Sequence, residues 1–258
     1  MEIIEPDSGY LACGDTGRGK MPSPELLEWH ILKEIAREKD MKGLRVCVTA
    51  GPTREIIDPV RFISNNSTGK MGYAIAKEAM LRGAEVTLIS GKVNIAPVPF
   101  VNMVNIVSAK DMYYEVMKAS EYSDIIIKAA AVADYRPATV SDNKIKKKDG
   151  DMSIELTRTE DIIGTLGKNK KNNNFLCGFS METENMLENS KAKLEKKNLD
   201  MIVANNVKVK GAGFGTDTNV VTIITKNDCK ELPIMSKDDV ADEILSEILK
   251  NRKDCQSQ

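Results

Sequence analysis

The sequence predicts an α/β fold: a Rossmann-like, doubly wound, mainly parallel sheet with an inserted Lys-rich flap. Short β-branched or apolar runs alternate with helical stretches from residue 44 onward. Most of these runs are apolar throughout, as strands covered on both faces must be. With 258 residues, 41% hydrophobic and 29% charged, the chain can build one large α/β domain or one domain with an appendage.

Residues 1–24, rich in Gly, Pro, Asp and Ser, read as loop. Residues 25–39 read as a helix, with Pro24 and Glu25 near its start and Lys39 near its end. Lys42 and Gly43 make a hinge. RVCVTA (45–50), EVTLIS (85–90), VNIVSA (104–109), DIIIKAA (124–130), FLCGFS (175–180) and DMIVAN (200–205) then read as strands. Helices are expected between them at 70–82, 110–121, 160–168 and 185–198. MSIELTR at 152–158 alternates instead and, with the Lys-rich segment before it, reads as an excursion from the sheet. GAGFGTDTN at 211–219 reads as a loop, NVVTIITK at 219–226 as a late strand and 236–252 as a closing amphipathic helix. These elements divide the chain into an N-terminal piece (1–43), a main domain (44–252) and a polar tail (253–258).

Composition removes several function classes. The net charge is -1, so no basic excess points to nucleic acid. Cys13, Cys47, Cys177, Cys229 and Cys255 form no CxxC pair, and His30 is the only histidine, which argues against structural zinc. The odd cysteine count and wide spacing fit a reducing cytosol. No apolar run is long enough to span a bilayer, and MEIIEPDSGY does not read as a signal peptide; the expectation is a cytoplasmic protein with no membrane partner. Leu27, Ile31 and Ile35 recur at helical spacing around His30, which makes it a helix-face residue. A Ser-His-Asp hydrolase is then excluded, and acid–base work falls to Asp, Glu, Lys, Cys or the substrates.

In such a sheet, ligands bind beyond the carboxyl ends of the strands, and the first βα loop is the usual phosphate site. That loop, TAGPTREIIDPVRFISNNSTGKMG at 49–72, lacks the dinucleotide fingerprint G-x-G-x-x-G. It is not a Walker A loop either, because Ser64 precedes Gly69 by five and Lys70 is followed by Met71. Asn65, Asn66, Ser67 and Thr68 nevertheless stand ahead of Gly69 at a helix mouth, with Arg54, Arg61 and Lys70 nearby. Amide N–H groups, hydroxyls and a helix N-terminus together suit an anion. The competing reading is a long loop with a Ser/Thr N-cap and solvated charges.

Its wording is more specific than its physics. The segment 49–72 closely resembles the signature of bacterial phosphopantothenate–cysteine ligase. That enzyme is the C-terminal half of a bifunctional coenzyme A biosynthesis protein whose other half is a flavin decarboxylase. The resemblance continues through KAAAVADYRP (128–137), NKIKKK (143–148), GFSMETEN (178–185) and KLEKKNLDMIVANN (193–206), covering residues 44–250. It implies CTP-dependent ligation of 4'-phosphopantothenate with L-cysteine through an acyl-cytidylate, and a homodimer formed through the ligase domain.

The same resemblance implies roles for individual residues. Lys144 aligns with the catalytic lysine of acyl-nucleotide formation, and Lys146 and Lys147 look auxiliary. Asn65 would orient the acyl intermediate with Arg61 in support. Gly51, Ser67, Thr68, Gly69 and Lys70 fall in the phosphate loop. Ala130 and Ala131 would lie against the base, the backbone around Phe179 would read cytosine, and Lys193 and Lys197 would point into the nucleotide site. Asn205 and Asn206 would fix ribose or substrate. Asp134 would contact nucleotide or metal, Lys144 would also bind the nucleotide, and the triphosphate calls for Mg²⁺ (or Mn²⁺), whose ligands would come mostly from the phosphate oxygens.

EPDSGYLACGDTGRGKM resembles the C-terminal substrate clamp of the flavin decarboxylase, in which Cys13 would be the acid. The flavin-binding body does not fit in some forty residues, so FMN belongs to a missing half, 1–43 reads as a remnant of that clamp plus a linker helix, and no decarboxylase activity is expected. Two rival readings remain: an NAD(P)-dependent reductase and a non-catalytic nucleotide-binding module. The reductase lacks its glycine fingerprint, and Tyr73 and Lys77 have its Tyr-x-x-x-Lys spacing but open the first helix.

Overall fold

A computed structural model describes residues 3–147, 150–171, 174–181, 185–205, 213 and 215–256, with side chains described as far as 252. The central sheet has eight strands: β1 (Arg45–Ala50), β2 (Glu85–Ser90), β3 (Asn102–Asn105), β4 (Ile125–Lys128), β5 (Phe175–Met181), β6 (Met201–Asn205), β7 (Val221–Thr225) and β8 (Cys229–Glu231). Their spatial order is β8-β7-β6-β5-β4-β1-β2-β3. The six strands from β3 to β6 are parallel, while β7 and β8 are added antiparallel. The parallel part thus runs 3-2-1-4-5-6, whose direction of winding reverses between β1 and β4.

Alternate strand residues feed two apolar clusters, one on each face. Val46, Val48, Ile125 and Ile127 pack against α2 (Lys70–Leu81) and α6 (Lys237–Gln256) through Ile75, Met80, Val240 and Ile244. Cys47, Ile126 and Leu176 face α3 (Ala109–Ser120), α4 (Ile162–Lys168) and α5 (Met186–Lys196) through Met112, Ile162 and Leu194. Ile125, Ile126 and Ile127 are each at most 1% exposed, which is why these strands carry no polar–apolar alternation.

Several expected boundaries shift, each for a local reason. The third strand ends at Asn105, not at residue 109, because Ser108 caps α3 in a reciprocal capping box with Asp111. The first helix, α1 (Pro24–Ile35), is capped by Ser23 and stops short of residue 39. Residues 1–24 are not all loop: Asp7–Tyr10 and Thr16–Lys20 form an antiparallel hairpin. Its turn is closed by the Leu11 N–H to the Asp15 carbonyl, with Gly14 at φ 92° and Cys13 exposed at the tip. Of MSIELTR, only Leu156–Arg158 is strand; it pairs with Tyr135–Pro137 outside the main sheet, as an excursion would. Of the loop expected at 211–219, residues 211, 212 and 214 lie outside the described residues; 213 and 215–217 are in neither helix nor strand, as a loop would be, while Thr218–Asn219 instead pair with Met235–Ser236. His30 packs edge-on against Phe100 with ring centroids 4.6 Å apart, in keeping with a helix-face residue.

The seating of α2 on β1 requires glycine at residue 72. A Cβ there would lie 2.6 Å from the Ala50 Cβ and 2.9 Å from the Thr49 carbonyl oxygen. Gly72→Ala should therefore cost about 1–3 kcal/mol by overpacking and lower the melting temperature by several degrees. An unchanged thermal melt would show that α2 is not held this close to β1.

Candidate active site

The β1–α2 loop and the segment after β4 are stitched together over the carboxyl ends of the strands. The Ala131 N–H donates to the Gly51 carbonyl (3.0 Å), and the Thr53 N–H donates to the Ala131 carbonyl (3.3 Å). Buried Thr49 and Thr53 accept the Ala130 and Ala133 N–H groups on their hydroxyls at 3.1 and 3.0 Å. Gly51 takes φ 73°, and a Cβ on it would sit 2.9 Å from Val93 and 3.0 Å from the Gly91 carbonyl; it shapes the turn from beneath.

Asn65 occupies the centre of this stitching. Its Nδ2 donates to the Ala131 carbonyl at 2.7 Å, and its Oδ1 accepts the Ser67 N–H at 3.0 Å. The second Nδ2 hydrogen remains available to a ligand. The helix it introduces is not capped in the expected way: the N-cap is Gly69 at φ 81°, with no side-chain capping bond. The competing Ser/Thr-cap reading therefore does not hold: Ser67 Oγ accepts the Gly69 N–H at 3.4 Å, one residue ahead of the first helical N–H groups. Lys70 at that mouth is held by Asp217 (2.6 Å) and the Gly215 carbonyl (3.2 Å).

A cavity of about 470 Å³ opens over these groups. It is lined by the predicted residues Asn65, Ser67, Thr68, Gly69 and Lys70 from the loop, and Ala130, Ala131 and Asp134 from beyond β4. Phe179, Lys193 and Asn205 complete it from β5, α5 and β6. The β4–β5 register stops at the pair Lys128–Gly178, whereas β5 continues to Met181. The backbone of 179–181 therefore presents a β4-facing edge without a ladder partner, directly on the cavity. Asn205 is 9% exposed, and its Oδ1 has no hydrogen-bond partner among the described residues. A buried carbonyl of that kind accepts a ligand's N–H or O–H.

A second cavity of about 400 Å³ adjoins on the α4–α5 side and shares Lys128, Asp134 and Lys193 with the first. Lys197 lines only this one and is ion-paired with Asp161, the N-cap of α4. Asp161 holds its carboxyl below the ordinary value despite partial burial, through that lysine and the Gly164 N–H. Among the described residues no group of three His, Cys, Asp or Glu could hold a metal; Asp134 is exposed and shares the second cavity with Glu160 and Asp161.

Two predicted catalytic residues lie outside the cavity lining. Buried Asp58 takes the Arg61 guanidinium on Oδ2 at 3.0 and 2.5 Å and accepts the N–H groups of Val60, Arg61 and Ile145. Arg61 also donates to the Ile145 carbonyl at 3.2 Å. The Arg61 guanidinium is thus engaged with Asp58 and the flap, where it fixes the residue next to Lys144. Lys144 itself is exposed. The Arg61 guanidinium holds the Asp58 carboxyl well below the usual carboxylate range, so this attachment is lost only in strong acid and does not titrate near neutrality. Gly51 shapes the loop without lining the cavity, and Asn206 lies outside the described residues.

Sequence reasoning did not single out Lys128, Ser180, Asn219 or Lys237, all of which line the first cavity. Lys128 did carry a signal, a charge ending an otherwise apolar strand. Ser180 is held by a buried hydroxyl pair with Ser190 at 2.7 Å. Lys237 starts α6 and donates to the carbonyls of Gly213, Thr216 and Thr218, a geometry that only the folded chain creates.

Residues 41–251 match the model of the DNA/pantothenate metabolism flavoprotein C-terminal domain. The chain is 52% identical over 252 residues to the coenzyme A biosynthesis bifunctional protein CoaBC of Bacillus subtilis (strain 168), covering 95% of this chain and 61% of that protein. Against CoaBC of Haemophilus influenzae the identity is 45% over 249 residues, 96% of this chain and 62% of that protein. The chain thus spans about three fifths of the length of these curated relatives. The crystal structure of a C-terminal domain of CoaBC superposes with a TM-score of 0.72 at 44% identity, covering 83% of this chain and 98% of that domain. By sequence and by fold, the chain belongs to the DNA/pantothenate metabolism flavoprotein C-terminal domain family.

Proposed function

We propose that this chain ligates 4'-phosphopantothenate with L-cysteine at the expense of CTP, a step of coenzyme A biosynthesis. The products are 4'-phosphopantothenoylcysteine, CMP and pyrophosphate. The observation that carries this reading is the continuous space in which Asn65, the uncapped mouth of α2 and the lysines of β4 and α5 meet. An acid–amine ligase needs such a combination: an anion cradle, cations for a phosphate chain and an amide beside the reacting carbonyl.

A carboxylate resists attack by an amine because oxide is a poor leaving group. In the first step an oxygen of the 4'-phosphopantothenate carboxylate bonds to the α-phosphorus of CTP, and pyrophosphate leaves. The acyl-cytidylate is a mixed anhydride with a good leaving group. In the second step the neutral amine of cysteine bonds to the acyl carbon, CMP leaves, and the amine's proton passes to solvent. Lys144 stabilises charge at the α-phosphate in the first step, and Lys193 and Lys197 hold the phosphate chain. Asn65 offers its second Nδ2 hydrogen to the oxyanion of the second. Asn205 receives a donor from substrate or ribose, and the free edge of 179–181 reads the base. Mg²⁺ or Mn²⁺ enters as part of the CTP substrate, with Asp134 beside it. A homodimer fits the exposed Ile56, Val60 and Phe62 on the hairpin of the first loop.

The test combines chain, CTP, Mg²⁺, 4'-phosphopantothenate and L-cysteine, and measures pyrophosphate and the ligated product. Substrate-dependent release with no NADH consumed supports the ligase. Release from CTP without phosphopantothenate, or ATP working in place of CTP, would contradict it in part. NADH oxidation, or binding without turnover, would replace it with one of the rivals.

The link between Asp58 and the flap supplies a further prediction. Asp58→Asn should leave CTP affinity near wild type and lower kcat by roughly 10–100-fold, the scale expected when a catalytic group is displaced by about 1 Å. A kcat equal to wild type would show that Asp58 does not position Lys144.

A further inference from the structure

Lys128 ends β4 with Gly178 of β5 and Thr49 of β1 as its register partners, and it lies on both cavities. Its charged and titratable neighbours come from every surrounding element. Asp134 and Tyr135 follow β4, Arg158, Glu160 and Asp161 lead into α4, and Lys193 and Lys197 belong to α5. Lys70 of α2 and Lys237 of α6 face it across the first cavity. Most of these cations are already engaged. Lys197 is paired with Asp161, Lys70 with Asp217, Lys237 with three carbonyls, and Arg158 lies over the Tyr135 ring. The Lys128 and Lys193 side chains make no hydrogen bond or ion pair among the described residues, yet they share both cavities.

Two cations without a direct partner, only partly offset by Asp134 and Asp161, repel each other in one recess and favour an entering anion. We propose that Lys128 is a proton-linked phosphate contact: its amine takes up a proton as the nucleotide's phosphate chain enters, so nucleotide affinity falls as the solution becomes alkaline. The proposal rests on the nucleotide-binding reading above and adds to it a residue and a regulation by pH. Burial, and then the neighbouring Lys193 charge, push the Lys128 ammonium down to about 8, with Asp134 and Asp161 only partly opposing them. In the empty site the amine is therefore largely neutral above that value. An entering phosphate chain restores the charged form, and the sign follows: binding is tightest where Lys128 is already protonated.

The test is calorimetric titration of Mg²⁺–CTP alone into the chain, at about pH 8, in two buffers of different protonation enthalpy. The wild-type chain should take up roughly half a proton per nucleotide, and its Kd should rise about tenfold between about pH 7 and about pH 9. K128M should bind CTP more weakly at the lower pH and show neither uptake nor pH dependence. K128R, which keeps the charge, should retain tight binding without uptake, and it decides the question if K128M does not fold. Wild-type binding without proton uptake, or uptake that persists in K128R, would overturn the proposal and leave the ligase reading standing. No binding of CTP by the wild-type chain at any of these pH values would instead overturn the ligase reading, and this proposal with it.

Discussion

Lys144→Gln is expected to lower CTP-dependent pyrophosphate release by about 10²–10³-fold while CTP affinity changes little, as for loss of a group that acts on the transition state. Lys144 is exposed, on a segment that Asp58 and Arg61 hold through Ile145. Lys128, Lys193 and Lys197 line the cavities, and in the proposed reaction these are the cations that would meet the ground-state phosphate chain. On the proposed mechanism Lys144 would then be spared from binding and free to meet charge that builds up only as the carboxylate approaches phosphorus. Rapid-quench measurement of the first turnover separates the two contributions. If Lys144→Gln weakens CTP binding and leaves the first-turnover rate intact, the lysine belongs to binding. If neither changes, NKIKKK is a solvated surface run.

Asn65→Ala should produce the opposite kinetic picture. Pyrophosphate release in the first turnover should persist, acyl-cytidylate should accumulate, and formation of phosphopantothenoylcysteine should fall by about 10²–10³-fold, the usual value of an oxyanion donor. The structure adds a complication, since Asn65 also ties Ala131 to Ser67. Alanine would loosen the loop as well as remove the donor. Asn65→Asp keeps an acceptor for the Ser67 N–H but loses both amide hydrogens, including the one that ties Ala131, so it isolates the contribution of the Ser67 tie. Accumulation of the acyl-cytidylate in both variants assigns the effect to the amide hydrogens rather than to the Ser67 tie. Loss of pyrophosphate release in both would assign Asn65 to the first step.

Much of the fold was legible because the parallel strands have a single requirement, burial on both faces. RVCVTA and EVTLIS coincide with β1 and β2 to the residue. Where local chemistry competes with hydrophobicity, the pattern misleads: VNIVSA is apolar enough for a strand, but Ser108 and Asp111 turn its second half into a helix cap. The N-terminal hairpin was missed because TGRGK has no strand-like side chains, and only the tight turn at Gly14 signals it.

The site divides in the same way. Asn65, Gly69 and Asp134 could be named from the sequence because their motifs are contiguous. The commitment of Arg61 to Asp58 needed the fold, since nothing in DPVR says that the carboxylate also grips Ile145, 87 residues away. Lys237 reaches the cavity from the last helix, far from any motif. Lys128 was visible as a charge at a strand end, but its exceptional character comes first from burial and then from Lys193 on another element, both of which need the fold.

The central claim is that the pantothenate carboxylate is activated on the α-phosphate of the nucleotide. Isotope transfer tests it most directly. With ¹⁸O in the carboxylate of 4'-phosphopantothenate, the account predicts that one labelled oxygen appears in CMP after complete turnover with CTP and cysteine. Label in orthophosphate, or CMP that carries none, would contradict it.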